Sequence, residues 1–132
     1  MNAEPHPISV EEVRVLFPTA PARLYEDATA SDPLLIWLYN STPMCLTGLY
    51  PLAPGVAYLW GWEHRLEPRH HIIYARCSRR LIRDSLQRYP VIIGHCRHQS
   101  AKWLRSLGAT LGPFSADALT FSIKAPLCSL QQ

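Results

Sequence analysis

The sequence predicts an α/β fold with a mixed, mostly antiparallel sheet flanked by helices. Three strand-like runs with short connections follow one another over residues 34–62, as in an antiparallel meander. A long helical pattern at residues 70–88 and an apolar run at 90–94 come next, and such a crossover helix returns the chain to the same sheet. A short amphipathic helix then stops at Gly108, where glycine turns left-handed without steric cost.

The N-terminal third is predicted to be mainly helical. Residues 1–7 are expected to form a loose tail. Ser9 and Glu12 fit a capping box that opens a helix reaching about Phe17. Residues 19–32 are ambiguous, although a second short helix there would place on one side Leu24, Ala28 and Tyr25.

Three strands are predicted next. Leu34–Tyr39 is apolar throughout, which is typical of a strand buried on both faces. A turn at residues 40–43 leads to a second strand, Met44–Leu52, in which Gly48 marks a bulge or a close approach. The third strand is Val56–Trp62.

The helix predicted at residues 70–88 has two different sides. At 100° per residue, one broad side holds Tyr74, Cys77, Ser78, Leu81, Ile82, Ser85 and Tyr89. The other side holds four arginines, Arg76, Arg79, Arg80 and Arg83. This basic side is either a solvated helix face or a contact for an anion or a partner. Base-stacking aromatic residues are not interleaved with it, so recognition of single strands is not supported. A nucleic-acid partner is not the expected one, and nucleic-acid binding through this side is a third hypothesis.

The rest of the chain completes a single predicted domain, residues 1–132. A helix at 99–107 is followed by strands at 109–111 and 118–123, and residues 126–132 form a second loose tail. The length of 132 residues suffices for one hydrophobic core without disulfides or metals.

The net charge of +3 conceals a strong asymmetry between the two halves of the chain. Residues 1–63 contain two arginines against seven acidic residues, whereas residues 64–132 contain eleven basic against three acidic residues. The imbalance indicates an anionic partner, packing of the two halves, ordinary solubility charge, or pairing of opposite halves between copies.

The sequence predicts a cytoplasmic protein with reduced thiols and no membrane partner. The first residues lack the charged and apolar regions of a signal peptide, and the longest apolar run is too short to span a bilayer. The four cysteines form no C-x-x-C pair. His95, Cys96 and His98 lack the second ligand cluster of a zinc site, and no acidic residue accompanies them to orient a base for Cys96, so neither a metal nor a thiol nucleophile is predicted.

The order of elements and the last helix resemble the GNAT superfamily of acetyl-CoA-dependent N-acetyltransferases, whose last helix reads Asn-x-x-Ala-x-x-Leu-Tyr-x-x-Leu-Gly-Phe. Four residues occupy matching positions, Ser100, Trp103, Leu107 and Gly108. Three depart from the motif, Arg97, Leu104 and Ala109. The stretch Arg88-Tyr89-Pro90, the Ser-x-x-Trp-Leu-Arg-x-Leu-Gly variant and the Trp60-Gly61-Trp62 strand end are closer to GNAT-like proteins of tailed phages, some described as internal virion proteins.

The resemblance implies a cofactor loop that this chain does not contain. In the superfamily, Arg/Gln-x-x-Gly-x-Gly/Ala at the start of the central helix holds the coenzyme A diphosphate on backbone N–H groups. Here the stretch reads Glu67-Pro68-Arg69-His70-His71, and glycine is absent between Gly61 and Gly94. Residual anion binding would fall to Arg69, His70 and His71.

The catalytic residues implied by the resemblance are also incomplete. The tyrosine that protonates the departing thiolate is replaced by Leu104, which has no proton to donate. Glu63 stands where some members place a base for the amine, and it equally fits a solvated strand end. We therefore expect a protein that acts by contact with a virion component or a host protein and needs no cofactor. The alternative is an active N-acetyltransferase that binds acetyl-CoA through an unconventional loop.

Overall fold

One seven-stranded sheet contains all the strands of the described residues, in the order β1-β2-β3-β4-β5-β7-β6. The computed structural model describes residues 3–64, 70–96, 101–113 and 119–125. In chain order these form β1 (Ala3–Pro7), α1 (Val10–Leu16), α2 (Ala22–Ala30), β2 (Leu34–Tyr39), β3 (Thr42–Ala53), β4 (Val56–Glu63), α3 (His71–Arg88), β5 (Val91–Cys96), α4 (Ala101–Ser106), β6 (Thr110–Pro113) and β7 (Leu119–Lys124).

The sheet is mixed and mostly antiparallel, which confirms the predicted fold class. β4 and β5 pair in parallel, with Val56 opposite Val91 and Tyr58 opposite Ile93. The pairs β1–β2, β2–β3, β5–β7 and β6–β7 are antiparallel. The parallel pair follows from the sequence because α3 separates the two strands and provides the crossover that parallel pairing requires.

The N-terminal segment was predicted to be a loose tail, and this is wrong for residues 3–7. Ala3–Pro7 forms β1, which pairs antiparallel with β2 from Ala3 opposite Tyr39 to Pro7 opposite Leu35. The two prolines of this segment argue against a strand when the sequence is considered alone. However, β1 lies at the edge of the sheet, where proline is tolerated. The tail predicted at residues 126–132 lies outside the described residues.

The turn predicted at residues 40–43 is shorter than expected. Asn40 and Ser41 both have positive φ, 50° and 67°, and they form a two-residue connection between β2 and β3. Positive φ at both central residues is the requirement of a type I′ hairpin turn. Thr42 and Pro43 therefore already belong to β3.

The two N-terminal helices are capped and anchored as their sequences allow. Ser9 and Glu12 form the predicted capping box, because the Ser9 side chain accepts from the Glu12 N–H and the Glu12 carboxylate accepts from the Ser9 N–H. The ambiguous segment contains α2, whose Leu24 and Ala28 are buried. The second short helix is therefore present.

The chain divides into two compact units, one comprising residues 1–50 and 60–78 and the other residues 51–59 and 79–132. The buried core of the first unit includes Val13, Leu24, Ala28, Ile36, Leu46 and Leu49. In the second unit a buried cluster consists of Ile82, Leu104, Phe121 and Ile123, with Leu59, Leu86, Trp103 and Leu107 packed against it.

The helix α3 has the two sides that its sequence predicts. Ser78, Ile82 and Ser85 are buried, whereas the four arginines of the other side are exposed. Gly108, the second residue after the end of α4, has φ +89° and donates its N–H to the Arg105 carbonyl, as predicted for a glycine that ends a helix. Among the described helices, none combines the length and apolar content needed to cross a lipid bilayer. Among the cysteines that the structure describes, Cys45 is buried and Cys77 and Cys96 are half-buried, all three as thiols.

Candidate functional site

Two of the three residues predicted to bind an anion, His70 and His71, lie at the start of α3 within the described residues. His71 is the first residue of α3, and Arg69 lies outside the described residues. His70 is buried, with 4% of its surface exposed, and its ring lies 4.6 Å from the ring of Tyr39 at 53°. The imidazole of His70 is thus part of the packing against β2. The predicted anion-binding role of the three residues stays a prediction.

Glu63, the predicted base, is the last residue of β4 and is exposed. Its neighbours Trp62 and His64 belong to an aromatic cluster with Phe17 at the end of α1. The Phe17 ring lies 5.0 Å from Trp62 and 4.9 Å from His64, edge-on to both, while Trp62 and His64 stack at 5.5 Å. Side chains alternate along a strand, so the carboxylate of Glu63 is directed away from the face of Trp62.

Leu104 occupies the position where the resemblance places an acid, and it is a core residue. Its exposed fraction is 3%, and it belongs to the buried cluster with Ile82, Phe121 and Ile123. A hydrocarbon side chain in this environment neither donates nor accepts a proton.

A tyrosine–histidine pair that the sequence did not single out lies on the β4–β5 region of the sheet. The Tyr58 hydroxyl and His95 Nδ1 are 2.8 Å apart, and the two rings are 5.7 Å apart. The register explains the pair, because Tyr58 lies opposite Ile93 and His95 is two residues further along β5 on the same face. Such a pair is able to accept and return a proton. Only the pairing register of β4 and β5 identifies this pair, and that register cannot be predicted from the sequence alone.

A cleft of about 330 Å³ adjoins this pair on the face formed by β5, β6 and β7. Hydroxyl side chains from two strands contribute to its lining, namely Thr110, Thr120 and Ser122. Directly paired strand residues share a face, and here Ser122 lies opposite both Ile93 and Thr110. The cleft therefore combines hydrogen-bonding hydroxyls with a phenol and an imidazole.

The four predicted contact arginines, Arg76, Arg79, Arg80 and Arg83, are all exposed along α3. In the described part of the chain, Arg23 and Asp27 form an ion pair at 3.7 Å, whereas no carboxylate is paired with Arg76, Arg79, Arg80 or Arg83. A guanidinium that is exposed and unpaired in this way is available to a carboxylate or a phosphate.

Burial raises the pKa of the Cys96 thiol, which lowers the fraction present as the nucleophilic thiolate. Among residues 3–64, 70–96, 101–113 and 119–125, no three histidine, cysteine or acidic side chains are grouped as metal ligands. His98 lies outside these ranges.

Neither a family model nor a curated protein matches this chain. Solved structures do match it. A GNAT family acetyltransferase from Elizabethkingia anophelis with acetyl-CoA bound superposes with a TM-score of 0.68 and 12% identity, over 94% of this chain and 99% of that chain. The ribosomal L7/L12 alpha-N-protein acetyltransferase RimL in complex with coenzyme A gives 0.67 and 11%, over 94% of each chain.

A third solved structure, Ard1 from Thermoplasma volcanium, gives a TM-score of 0.67 at 7% identity, over 96% of this chain and 99% of that chain. These likenesses extend over nearly the whole of both chains in each comparison. The chain therefore has the GNAT fold, at sequence identities that establish the fold alone.

Proposed function

We propose that this GNAT-fold chain is of the phage type, has a degenerate acetyl-CoA apparatus, and acts by contact with a virion component or a host protein. The observation that carries the proposal is Leu104, which is 3% exposed in the cluster of α3, α4 and β7. At this position the resemblance requires a proton donor, and the chain has a core hydrocarbon instead.

The start of α3 supports the same proposal. In the superfamily, successive backbone N–H groups at this position hold a diphosphate, and glycine leaves them accessible. In this chain His70 is buried against Tyr39 and α3 begins only at His71. The ring of His70 is therefore occupied by packing on Tyr39, which supports a degenerate diphosphate site at this end of α3.

The phage assignment is supported by the sequence alone, through Arg88-Tyr89-Pro90 and the Trp-Leu-Arg-x-Leu-Gly run ending at Gly108. It predicts that the protein is made in the cytoplasm of a host cell and is either packaged in particles or retained by a host protein. Mass spectrometry of purified particles tests the first route. If the protein is packaged, we expect a constant number of copies per particle. If the protein is absent from the particles, contact with a host protein is the route that stays proposed.

Calorimetric titration with acetyl-CoA tests the degenerate apparatus. We expect no saturable heat, whereas the acetyltransferase from Elizabethkingia anophelis, titrated under identical conditions, serves as the control that binds. Micromolar binding to this chain would overturn the proposal. Titration with free coenzyme A separates recognition of the diphosphate from recognition of the acetyl group.

An active N-acetyltransferase is the second candidate, and the Tyr58–His95 hydrogen bond of 2.8 Å favours it. Acetyl-CoA would supply the acetyl thioester, and the loop of Arg69, His70 and His71 would hold its phosphates in place of the glycine turn. In this candidate Tyr58 and His95 hold and move the proton that Leu104 cannot. The cleft hydroxyls of Thr120 and Ser122 would orient the acceptor.

Labelled acetyl-CoA incubated with a host lysate tests this candidate. Transfer that is lost in Arg69→Ala and reduced at least tenfold in Tyr58→Phe supports it, as does loss in Glu63→Gln if the strand-end carboxylate is the base. Thr19→Val, on the α1–α2 connection, is the control expected to retain transfer. Absence of label from every product in the presence of the folded chain removes this candidate.

A further inference from the structure

The outer side of α3 presents a row of guanidinium groups, here called the arginine face, consisting of Arg76, Arg79, Arg80 and Arg83. These residues recur at i, i+3, i+4 and i+7, so they form two adjacent rows on one side of the helix. All four are exposed, and no carboxylate of the described residues is paired with them. Asp84 is the only acidic residue of α3.

Repulsion within the arginine face lowers the free energy of unfolding of the isolated chain. Arg76 and Arg80, and likewise Arg79 and Arg83, are one helical turn apart, and like charges at this spacing repel. The helix dipole favours a cation in the last turn, where Arg88 lies, but not in the middle of the helix. A partner that neutralises the face would remove this repulsion.

The outer side of α1 has the opposite character. This α1 outer face consists of Glu11, Glu12, Val15 and Leu16, in two rows one turn apart. Both glutamates are exposed, as are 79% of Val15 and 47% of Leu16. Exposed aliphatic side chains beside carboxylates suit a partner with basic heads on long apolar stems, which is the character of arginine.

We infer that copies of this chain associate head to tail, with the arginine face of one copy on the α1 outer face of the next. The inference rests on the proposed function, which is action by protein contact. It identifies the partner as a second copy of this chain. The charges of the chain support it, since residues 1–63 carry a net −5 and residues 64–132 a net +8. Such a contact uses two different surfaces, so it builds open or cyclic assemblies.

Sedimentation velocity over a range of protein concentrations, without acetyl-CoA, tests the inference. Wild-type protein is expected to show a concentration-dependent oligomer that weakens about tenfold or more when salt is raised well above 0.1 M, where the Debye length is about 10 Å. Arg79→Gln/Arg80→Gln and Glu11→Gln/Glu12→Gln are each expected to weaken association at least tenfold. Glutamine at residue 12 retains the capping box, so α1 stays folded.

The matched control is Lys102→Gln/Arg105→Gln, which removes the same charge from exposed positions of α4. It should associate as the wild type does. Equal weakening in this control would assign the effect to bulk charge and overturn the inference, as would a wild-type protein that is monomeric at every concentration.

Mixing the two variants gives the sharpest outcome. The arginine variant keeps its α1 outer face and the glutamate variant keeps its arginine face, so the mixture should form a complex of one copy of each and no larger species. A mixture that stays monomeric overturns the inference. If the protein binds DNA through Arg79 and Arg80 but does not self-associate, the inference is overturned and the arginine face is a nucleic-acid contact. Acetyl-CoA binding, which would defeat the proposed function, leaves these outcomes unchanged.

Discussion

The Trp60 indole donates a hydrogen bond from Nε1 to Ser31 Oγ, 2.7 Å away, and so joins β4 to the residue that caps α2. Trp60 is 8% exposed, and Ser31 Oγ in turn donates to the Asp27 carbonyl at 2.7 Å. A Cβ added at Gly48 would meet both Trp60 Nε1 and Ser31 Oγ. The close approach predicted at Gly48 is confirmed, and the glycine leaves room for this hydrogen bond.

Two substitutions test this relationship. Gly48→Ala should destabilise the protein by about 1–3 kcal/mol, because the new methyl group displaces the indole or the serine. Ser31→Ala should cost about 1–3 kcal/mol, because the buried indole N–H loses its acceptor. Urea unfolding followed by tryptophan fluorescence measures both. Ser106→Ala, on the exposed side of α4, is the control, and a comparable loss there would contradict the explanation.

Gly94 is predicted to tolerate a methyl group poorly. Its added Cβ would lie 2.6 Å from the Leu59 carbonyl oxygen and 2.6 Å from Phe121 Cζ, two positions fixed by strand pairing and core packing. Gly94→Ala should therefore cost about 1–3 kcal/mol.

The control is the same substitution at Gly112, whose added Cβ would meet the movable Thr120 hydroxyl at 2.9 Å. Thermal unfolding of both variants gives the comparison. A loss at Gly112 as large as that at Gly94 would show that the fixed carbonyl and ring are not the cause.

The hairpin between β2 and β3 can be made more stable. Ser41 has φ 67°, a conformation that costs a residue with a Cβ about 1 kcal/mol or more and glycine little. Ser41→Gly should raise the free energy of unfolding by about 0.5–1 kcal/mol, as expected for Asn-Gly in a type I′ turn. Ser106→Gly in α4 should have the opposite sign, since glycine weakens a helix. A stability loss in Ser41→Gly would contradict the turn.

Cys96 should react slowly with alkylating reagents, because burial raises its pKa above the ordinary value of 9.0. The folded chain keeps this proton to a higher pH than the unfolded chain. Its stabilising contribution is therefore complete below the ordinary thiol pKa and is lost as the pH rises through the raised value.

Peptide-level mass spectrometry after iodoacetamide treatment at a series of pH values measures the titration of Cys96. Denatured protein provides the reference rate at the same residue, and Cys96→Ser should remove the corresponding loss of stability above pH 9. A folded-state titration at or below that of the denatured chain would contradict the effect of burial.

Local patterns were sufficient for most elements of this fold. The capping box at Ser9, the apolar run of β2 and the two-sided pattern of α3 each depend on neighbours within one or two turns of the chain. β1 was missed because its prolines argue against a strand, and only its place at the sheet edge makes them acceptable.

The candidate sites divide in the same way. The amino-acid order by itself determined that Arg76, Arg79, Arg80 and Arg83 share one side of α3 and that residue 104 has no proton to donate, because helical periodicity and residue chemistry are local properties. Tertiary structure alone decided that Tyr58 meets His95, that His70 packs on Tyr39, and that Gly48 makes room for Trp60. The physical reason is that strand register for Tyr58 and His95, and tertiary packing for the other two contacts, join residues that are far apart in the chain and that no local pattern relates.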